Sequence, residues 1–288
     1  MVIAVDIGNT NIVLGIFDNN NLRFIERIST DHNITSLEYA LKFKSILDIH
    51  NINSKMITGS IISSVVPAVT QMTEAAIKRI TGISPKIVGK GLETGLEICI
   101  DTPKQLGSDL VVDAVAVCDE YKCPAIIIDM GTATTFSVID SKKRYIGGMI
   151  LPGLNISLEA LKSRTSQLPK IELSAPPDII GKNTIDCMKS GMIYGTAAQI
   201  DAVIERISEE LDEEPVVIAT GGIAAAVIPL CKKKVIRDDA LLLKGLIKIY
   251  NRNLEKTIWF IFKKFWRFLC LFQQRMFWIL SRKMMLNL

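Results

Sequence analysis

The chain has 288 residues, of which 49% are apolar and 22% are charged. This composition is that of a globular protein with material for one large or two medium domains, and it excludes a disordered, collagen-like or small disulfide-rich protein. The net charge of +4 is too small to indicate binding to nucleic acid. The charge is unevenly distributed, because residues 257–288 carry six basic side chains and no acidic one. Residues 1–256 are therefore mildly acidic.

The cysteines and the N-terminus indicate the compartment. The six cysteines are scattered without a C-x-x-C pair, and the chain has only two histidines, so the sequence predicts no zinc site. The apolar run after Met1 meets Asp6 before a signal-like segment can develop. We therefore expect a first strand in a reduced, cytoplasmic protein.

Apolar runs and polar turns alternate at the start of the chain. Residues 2–5, 12–17 and 22–29 are predicted strands separated by turns. Thr35–Glu38 has the pattern of a capping box and predicts a helix start. After another apolar run, Pro67 suits the first turn of a helix that reaches Gly82.

A strand, an Asp-x-Gly turn and a second strand occur twice in the chain. Asp6 and Gly8 in the first copy correspond to Asp129 and Gly131 in the second at one common offset. Such a short pattern can recur by chance in an α/β protein, but the shared flanking strands favour a duplication. The sequence thus predicts two similar halves that face each other. Further elements are predicted at 155–163, 184–211, 216–219, 223–230 and 239–251.

The two turns have the composition of phosphate-binding loops. Small residues between strands allow backbone N–H groups to approach an anion closely, and hydroxyl and amide side chains add donors. Asp6 at a strand end could hold a hydrated Mg²⁺. Each turn alone is equally a simple hairpin, but the repeated pair, followed by the Thr-Gly-Gly turn at 220–222, favours a phosphate clamp. Neither a P-loop nor a G-x-G-x-x-G motif is present.

Asp109 is the candidate catalytic base, since it stands where a loop meets the predicted helix 110–121. Its alternative role is that of a helix cap. A helix N-terminus would keep its carboxylate ionised at pH 7, and a weak base suffices for phosphoryl transfer. Asp113, one turn later, either supports Asp109 or faces solvent.

Six motifs in this order resemble those of the type III pantothenate kinases, a family within the acetate/sugar kinase, heat-shock and actin superfamily. The resemblance covers about residues 2–250. The motifs are D-I-G-N-T at 6–10, P-x-x-L-G-x-D at 103–109, D-x-G-T-A-T-T at 129–135, G-G-x-I-x-P-G at 147–153, G-K-N-T at 181–184 and T-G-G at 220–222.

The resemblance implies an α/β fold of two duplicated ribonuclease-H-like (actin-like ATPase) halves, residues 1–118 and 119–256, with mixed sheets and an interdomain ATP cleft. It implies ATP-dependent phosphorylation of pantothenate to 4'-phosphopantothenate, the first step of coenzyme A biosynthesis, by a homodimer. ATP with Mg²⁺ and a monovalent cation, K⁺ or NH₄⁺, are the implied cofactors.

The resemblance also assigns residues. Asp109 would be the catalytic base, and Asp129 would hold the monovalent cation. The implied ATP-binding residues are Asp6, Ile7, Gly8, Asn9, Thr10, Asn11, Ile12, Val13 and Thr132. The implied pantothenate-binding residues are Gly107, Ser108, Asp109, Leu110 and Thr184.

One position departs from the family pattern, because many relatives have Arg where this chain has Leu110. An Arg there could grip a carboxylate or phosphate with two hydrogen bonds, and Leu cannot. Either another group does so, with Arg164 and Lys182 as candidates, or substrate binding is weaker. Two alternative functions therefore stay open: a non-catalytic nucleotide-binding regulator of the same fold, and a kinase for another small hydroxylated acid.

The segment 257–288 does not match the family. It contains all three tryptophans and six of the ten phenylalanines among basic residues. Such a segment either lies as a basic amphipathic helix on a membrane surface or is not natural sequence, as after a shifted reading frame. No membrane association is expected for residues 1–256.

Overall fold

The computed structural model describes residues 1–256. Met1–Ile249 form one compact unit. Of the second unit, Tyr250–Leu288, residues 250–256 are described, and they are helical. The predictions made for residues 257–288 concern a segment outside the described residues.

The first sheet has five strands and carries two helices. Its strand order is β3-β2-β1-β4-β5, with antiparallel pairing from β1 to β3 and parallel pairing of β4 with β1 and β5. The elements are β1 (Val2–Ile7), β2 (Asn11–Asp18), β3 (Asn21–Ser29), α1 (Ser36–Ile49), β4 (Gly59–Ser64), α2 (Pro67–Thr81) and β5 (Lys86–Ile87). A short 3₁₀ turn, Ser54–Met56, lies between α1 and β4.

The second sheet repeats this arrangement with six strands. Its order is β11-β10-β7-β8-β9-β6, in which β7, β8 and β9 form an antiparallel meander and β10 lies parallel to β7. The strands are β6 (Glu97–Ile98), β7 (Ala125–Met130), β8 (Ala133–Ile139), β9 (Arg144–Pro152), β10 (Val216–Thr220) and β11 (Ile236–Arg237). Because β1–β4 and β7–β10 share one topology, the prediction of two duplicated α/β halves with mixed sheets is confirmed.

The helices after residue 107 lie near their predicted positions, but the predicted helix 223–230 is a short α-helix followed by a 3₁₀ turn. They are α3 (Ser108–Glu120), α4 (Leu154–Ser163), α5 (Thr184–Leu211), α6 (Ala224–Val227) and α7, which begins at 241 and includes every later residue of the first unit. Two 3₁₀ turns, Pro103–Gln105 and Ile228–Leu230, precede α3 and follow α6. No helix within residues 1–256 is long and apolar enough to cross a membrane.

Each sheet buries one face in its own hydrophobic core. Ile3, Val5 and Ile7 of β1 pack with Tyr39 and Phe43 of α1. The second core joins inward residues of β7, β8 and β10 to α5 and α6. The apolar runs of β1 and β7 are nearly continuous because both are central strands with neighbours on either side. The next-to-last residue of each central strand is an aspartate, so the cores fix the positions of Asp6 and Asp129.

One strand and one helix that precede or span the predicted boundary pack with the second half. β6 lies before residue 118 in the chain, yet Glu97 and Ile98 pair with Arg144 and Tyr145 of β9 in the second sheet. The buried face of α3 also packs with β7 and with Leu241 of α7. The boundary at 118/119 stays a prediction.

Candidate active site

The two Asp-x-Gly bends touch each other. The first is closed by a hydrogen bond from Gly8 N to the Asn11 carbonyl (2.9 Å), and the second by one from Gly131 N to the Ala133 carbonyl (3.0 Å). Between them, the hydroxyl oxygens of Thr10 and Thr132 are 2.9 Å apart. The expectation that the bends confront each other is therefore met by a direct contact.

The residues with an expected ATP role divide into two groups by the direction of their side chains. Ile7 and Ile12 are fully buried in the first core, so they can offer a ligand only backbone groups. Asn9 and Thr10 are exposed at the tip of the first bend. The side chain of Thr30 supports this bend from below by donating to the Gly8 carbonyl (2.7 Å).

Asp109 lies in the first turn of α3, but it is not the cap. The N-cap residue is Gly107, which offers no side chain, and the Asp109 carboxylate accepts a hydrogen bond from Leu110 N (2.9 Å). The interpretation of Asp109 as a helix cap is therefore wrong. Burial raises the pKa of this carboxyl despite hydrogen bonds from backbone N–H groups that lower it. Burial thus outweighs the stabilisation of the charged form expected at a helix N-terminus.

A serine network fixes the start of α3 beside the end of β1. The Ser108 hydroxyl donates to the Ser64 carbonyl (3.0 Å), accepts from Ser64 N (3.2 Å) and lies 3.1 Å from the Ser63 hydroxyl. Ser63 is paired with Asp6 across the β1–β4 register and also hydrogen-bonds its carboxylate. Asp6 and Asp109 are therefore held by one connected set of polar groups.

Four carboxylates converge at this point, and neighbouring charges raise the pKa of three of them, Asp6, Asp129 and Asp113. Burial, followed by the charges of Asp109 and Asp129, raises the pKa of Asp6 to about 8. Burial and the charge of Asp109 raise the pKa of Asp129 to about 6. Burial, followed by the charges of the other three and of Asp238, raises the pKa of Asp113 well above its ordinary value. The site thus concentrates negative charge that a bound cation would relieve.

Asp113 does not face solvent. It is 1% exposed, and both of its carboxylate oxygens lack a hydrogen-bond partner among the described residues. The alternative that placed Asp113 on the solvent side of α3 is therefore wrong. The neutral acid is the form that such a position favours.

The carboxylates of the cluster fit a cation that is also bound by water and substrate phosphates. Within residues 1–256, no group of three acidic, histidine or cysteine side chains is arranged to chelate a metal by itself. Mg²⁺ in phosphoryl-transfer sites is held through one or two carboxylates together with water and substrate phosphates. Asp6 and Asp129, each at a strand end next to a bend, match that pattern.

The residues expected near pantothenate are brought together only in part. Gly107, Ser108 and Asp109 are contiguous at the start of α3, whereas Leu110 turns its side chain onto the apolar cluster of α3 and β7. Thr184 is exposed at the first residue of α5. Among the described residues, no hydrogen bond or ion pair joins Thr184 to the acidic cluster.

Among the described residues, the two candidates for replacing the missing arginine form no hydrogen bond or ion pair with the cluster. Arg164 follows α4 and Lys182 precedes α5, and both are exposed. The basic group that acts on the cluster is Arg27 of β3, whose charge lowers the pKa of Asp129. Sequence reasoning missed Arg27 and also Ser63. The strand-end rule that identified Asp6 would have identified Ser63 at the end of β4.

Two duplicated halves with facing phosphate-type bends define the actin-like ATPase and sugar kinase fold. The chain has a TM-score of 0.54 with a Baf family transcriptional activator from Campylobacter jejuni, at 19% identity over 88% of this chain and 99% of that one. It has a TM-score of 0.50 with a 2-dehydro-3-deoxygalactonokinase protein from Sinorhizobium meliloti, at 12% identity over 88% and 96%. These likenesses show the fold alone.

Sequence comparison identifies the family. The model of the type III pantothenate kinase family matches residues 2–206. A type III pantothenate kinase from an Exiguobacterium species is 46% identical over 88% of this chain and 99% of its own length. One from Halalkalibacterium halodurans is 43% identical over 88% and 100%. The chain therefore belongs to the type III pantothenate kinase family.

Proposed function

We propose that this protein transfers the γ-phosphoryl group of ATP to the primary hydroxyl of pantothenate and so catalyses the first step of coenzyme A biosynthesis. The observation that carries the proposal is the contact between the Thr10 and Thr132 hydroxyls, which sets two phosphate-type bends face to face. The charge of Asp109 acts on Asp6, which precedes the first bend. Family membership gives the substrate pair.

Asp109 would accept the proton of the hydroxyl. In the transfer, the hydroxyl oxygen forms a bond to the γ-phosphorus, the bond to the β,γ-bridging oxygen breaks, and the proton passes to the carboxylate. A base works best when its pKa approaches the working pH, and burial moves the pKa of Asp109 upward. The Ser108 network holds the helix that carries it, so the carboxylate keeps its position during the reaction.

Two cations complete the proposed chemistry. Asp6 would hold Mg²⁺ with the nucleotide phosphates, and Asp129 would hold K⁺ or NH₄⁺, each neutralising charge that develops on the phosphates. The raised pKa values of both groups support this assignment, because each carboxylate would regain its charged form beside a cation.

We further propose a cytoplasmic homodimer. The described cysteines are free thiols, which is consistent with a reducing compartment. Large apolar side chains are exposed on β9 and on the first turns of α4 and α5, and a subunit contact would cover them. They are Met149, Ile150, Ile156 and Ile185.

The decisive assay couples ADP release to pantothenate and K⁺. We expect turnover that requires both, and ADP release independent of pantothenate would reject the proposal. Asp109→Asn should lower kcat by about 100-fold or more, because the amide cannot accept the proton. Asp119→Asn is the matched control. It lies near the far end of the same helix and is exposed, where it pairs with Lys248, so it should retain activity. Full activity of Asp109→Asn would remove Asp109 from the catalytic role.

A further inference from the structure

A row of paired residues crosses the first sheet from the serine network to its edge. Asp6 is paired with Val13 of β2, and Val13 is paired with Arg27 of β3. Residues paired across neighbouring strands project to the same face of a sheet. Their neighbours Ile12 and Ile28 belong to the first hydrophobic core, so the row projects to the opposite face. Two strand spacings place the Arg27 backbone about 10 Å from that of Asp6.

The Arg27 side chain reaches the other half of the molecule. Its Nη1 atom lies 2.9 Å from the position that a Cβ atom on Gly222 would occupy. Gly222 belongs to the Thr-Gly-Gly turn after β10 of the second sheet. The guanidinium thus lies against that turn in space that any larger residue at 222 would fill.

The Arg27 guanidinium retains its hydrogen-bonding capacity. Arg27 is exposed, and no hydrogen bond or ion pair with another described residue occupies its donors. An arginine has five N–H donors in a fixed planar fork that matches phosphate oxygens. Its charge acts on Asp129, which places the positive charge beside the second bend.

A polyphosphate bound beside the two bends needs such a group. The charges of Asp109 and Asp129, which also act on Asp6, repel an anion, and backbone N–H groups offset only part of that repulsion. Leu110 has no charge to offer, and its side chain packs on the apolar cluster of α3 and β7.

The geometry points to Arg27 as a nucleotide-binding residue that grips phosphate oxygens of ATP from the first sheet while it contacts the Thr-Gly-Gly turn of the second. This inference rests on the proposed function, since it assigns one more residue to the same ATP site. In this arrangement, Arg27 supplies the cationic contact that Leu110 does not, and a bound triphosphate would be held by groups from both halves.

The test measures nucleotide binding without pantothenate. Titration calorimetry with Mg²⁺ compares a non-hydrolysable ATP analogue, ADP, AMP and adenosine on the wild-type chain, Arg27→Met and Arg27→Lys. For Arg27→Met we expect affinity for the ATP analogue to fall about 10- to 100-fold, the loss of one charge-assisted, two-pronged contact, and adenosine to change less than about 3-fold. Arg27→Lys should recover part of the loss, because it keeps the charge without the fork.

Arg23→Met is the matched control. Arg23 is an exposed arginine on the same strand, four residues before Arg27 and therefore about 13 Å away. We expect its nucleotide affinities to equal those of the wild type. Circular dichroism of each variant shows whether it is folded, and Arg27→Gln replaces Arg27→Met should the latter fail to fold.

Two results would overturn the inference. Unchanged affinity of Arg27→Met for the ATP analogue would exclude the phosphate contact. An equal loss for the ATP analogue and adenosine would mean that Arg27 only joins the two halves. A different result would reject the proposed function: a wild-type chain that binds the nucleotide but shows no pantothenate-dependent turnover.

Discussion

Replacing Asp6 by asparagine tests the electrostatics of the cluster most directly. In the folded chain the pKa of Asp6 is raised from 3.8 to about 8, mainly by burial. Between these two values the folded state holds a proton that the unfolded state has released. The free energy of unfolding must therefore fall as the pH rises from about 4 to 8. An amide removes this penalty, and its oxygen can still accept the hydrogen bond from Ser63.

The size of the effect follows from the shift. At pH 7 the pH exceeds 3.8 by about three units, and one unit corresponds to about 1.4 kcal/mol, which gives roughly 4 kcal/mol. The exposed fraction of Asp6 permits solvent screening, so we expect a gain of about 2 kcal/mol for Asp6→Asn at pH 7 and almost none at pH 4.

Urea unfolding followed by far-ultraviolet circular dichroism, from pH 4 to pH 8, measures this gain. Asp18→Asn, at the far end of β2, is the control that removes one carboxylate outside the cluster. Mg²⁺ with an ATP analogue should stabilise the wild type and leave Asp6→Asn nearly unchanged, because the variant lacks the carboxylate that would hold the cation. A gain for Asp6→Asn that is the same at pH 4 and pH 8 would refute the reasoning.

Three further substitutions probe the bends, an open helix position and the buried acid. A Cβ atom on Gly153 would lie 2.3 Å from the Thr132 carbonyl oxygen, so Gly153→Ala should destabilise the fold by about 1–3 kcal/mol and weaken ATP binding in the same calorimetric titration. Gly191→Ala, in open space on α5, should instead stabilise the fold by about 0.5–1 kcal/mol. Asp113→Asn should raise the free energy of unfolding more at pH 8 than at pH 5, because burial raises the pKa of Asp113. A loss at pH 8 in urea unfolding would contradict that assignment.

Elements governed by local interactions were predictable from the sequence. The capping box between Thr35 and Glu38 is present as predicted, with both reciprocal hydrogen bonds. Pro67 begins α2, and α5 begins and ends where its pattern indicated. The two-residue strands β5, β6 and β11 were not predicted, because so short a segment carries no periodicity.

The residues around Asp109 do not determine its role at the start of the helix. Gly107, Ser108 and Asp109 are all residues that can cap a helix, and the local pattern does not choose among them. Ser64, more than 40 residues earlier, keeps Ser108 from capping the helix. Its carbonyl accepts a hydrogen bond from the Ser108 hydroxyl, and its N–H donates one to the same hydroxyl. A contact of that sequence separation leaves no signal in the surrounding residues.

The burial of Asp113 likewise depends on a distant segment. α7 packs so closely on α3 that a Cβ atom on Gly245 would lie 2.1 Å from the Val112 carbonyl oxygen. On the other side, Leu243 of α7 fills the space above Gly15 of β2. α7, more than 120 residues after α3, thus packs against the residue next to the buried Asp113, and no pattern within α3 predicts this contact.

The same cluster explains why nucleotide binding and folding stability are coupled in this protein. Burial raises the pKa of all four carboxylates, and neighbouring charges raise it further for Asp6, Asp113 and Asp129. This costs free energy in the ligand-free chain, and the two hydrophobic cores must offset that cost. Cations that accompany ATP attract the carboxylates that otherwise repel one another. A ligand that brings such cations and binds only the folded state therefore stabilises that state. Weakening the repulsion, as in Asp6→Asn, therefore stabilises the empty fold and removes the stabilisation that Mg²⁺ and ATP would add.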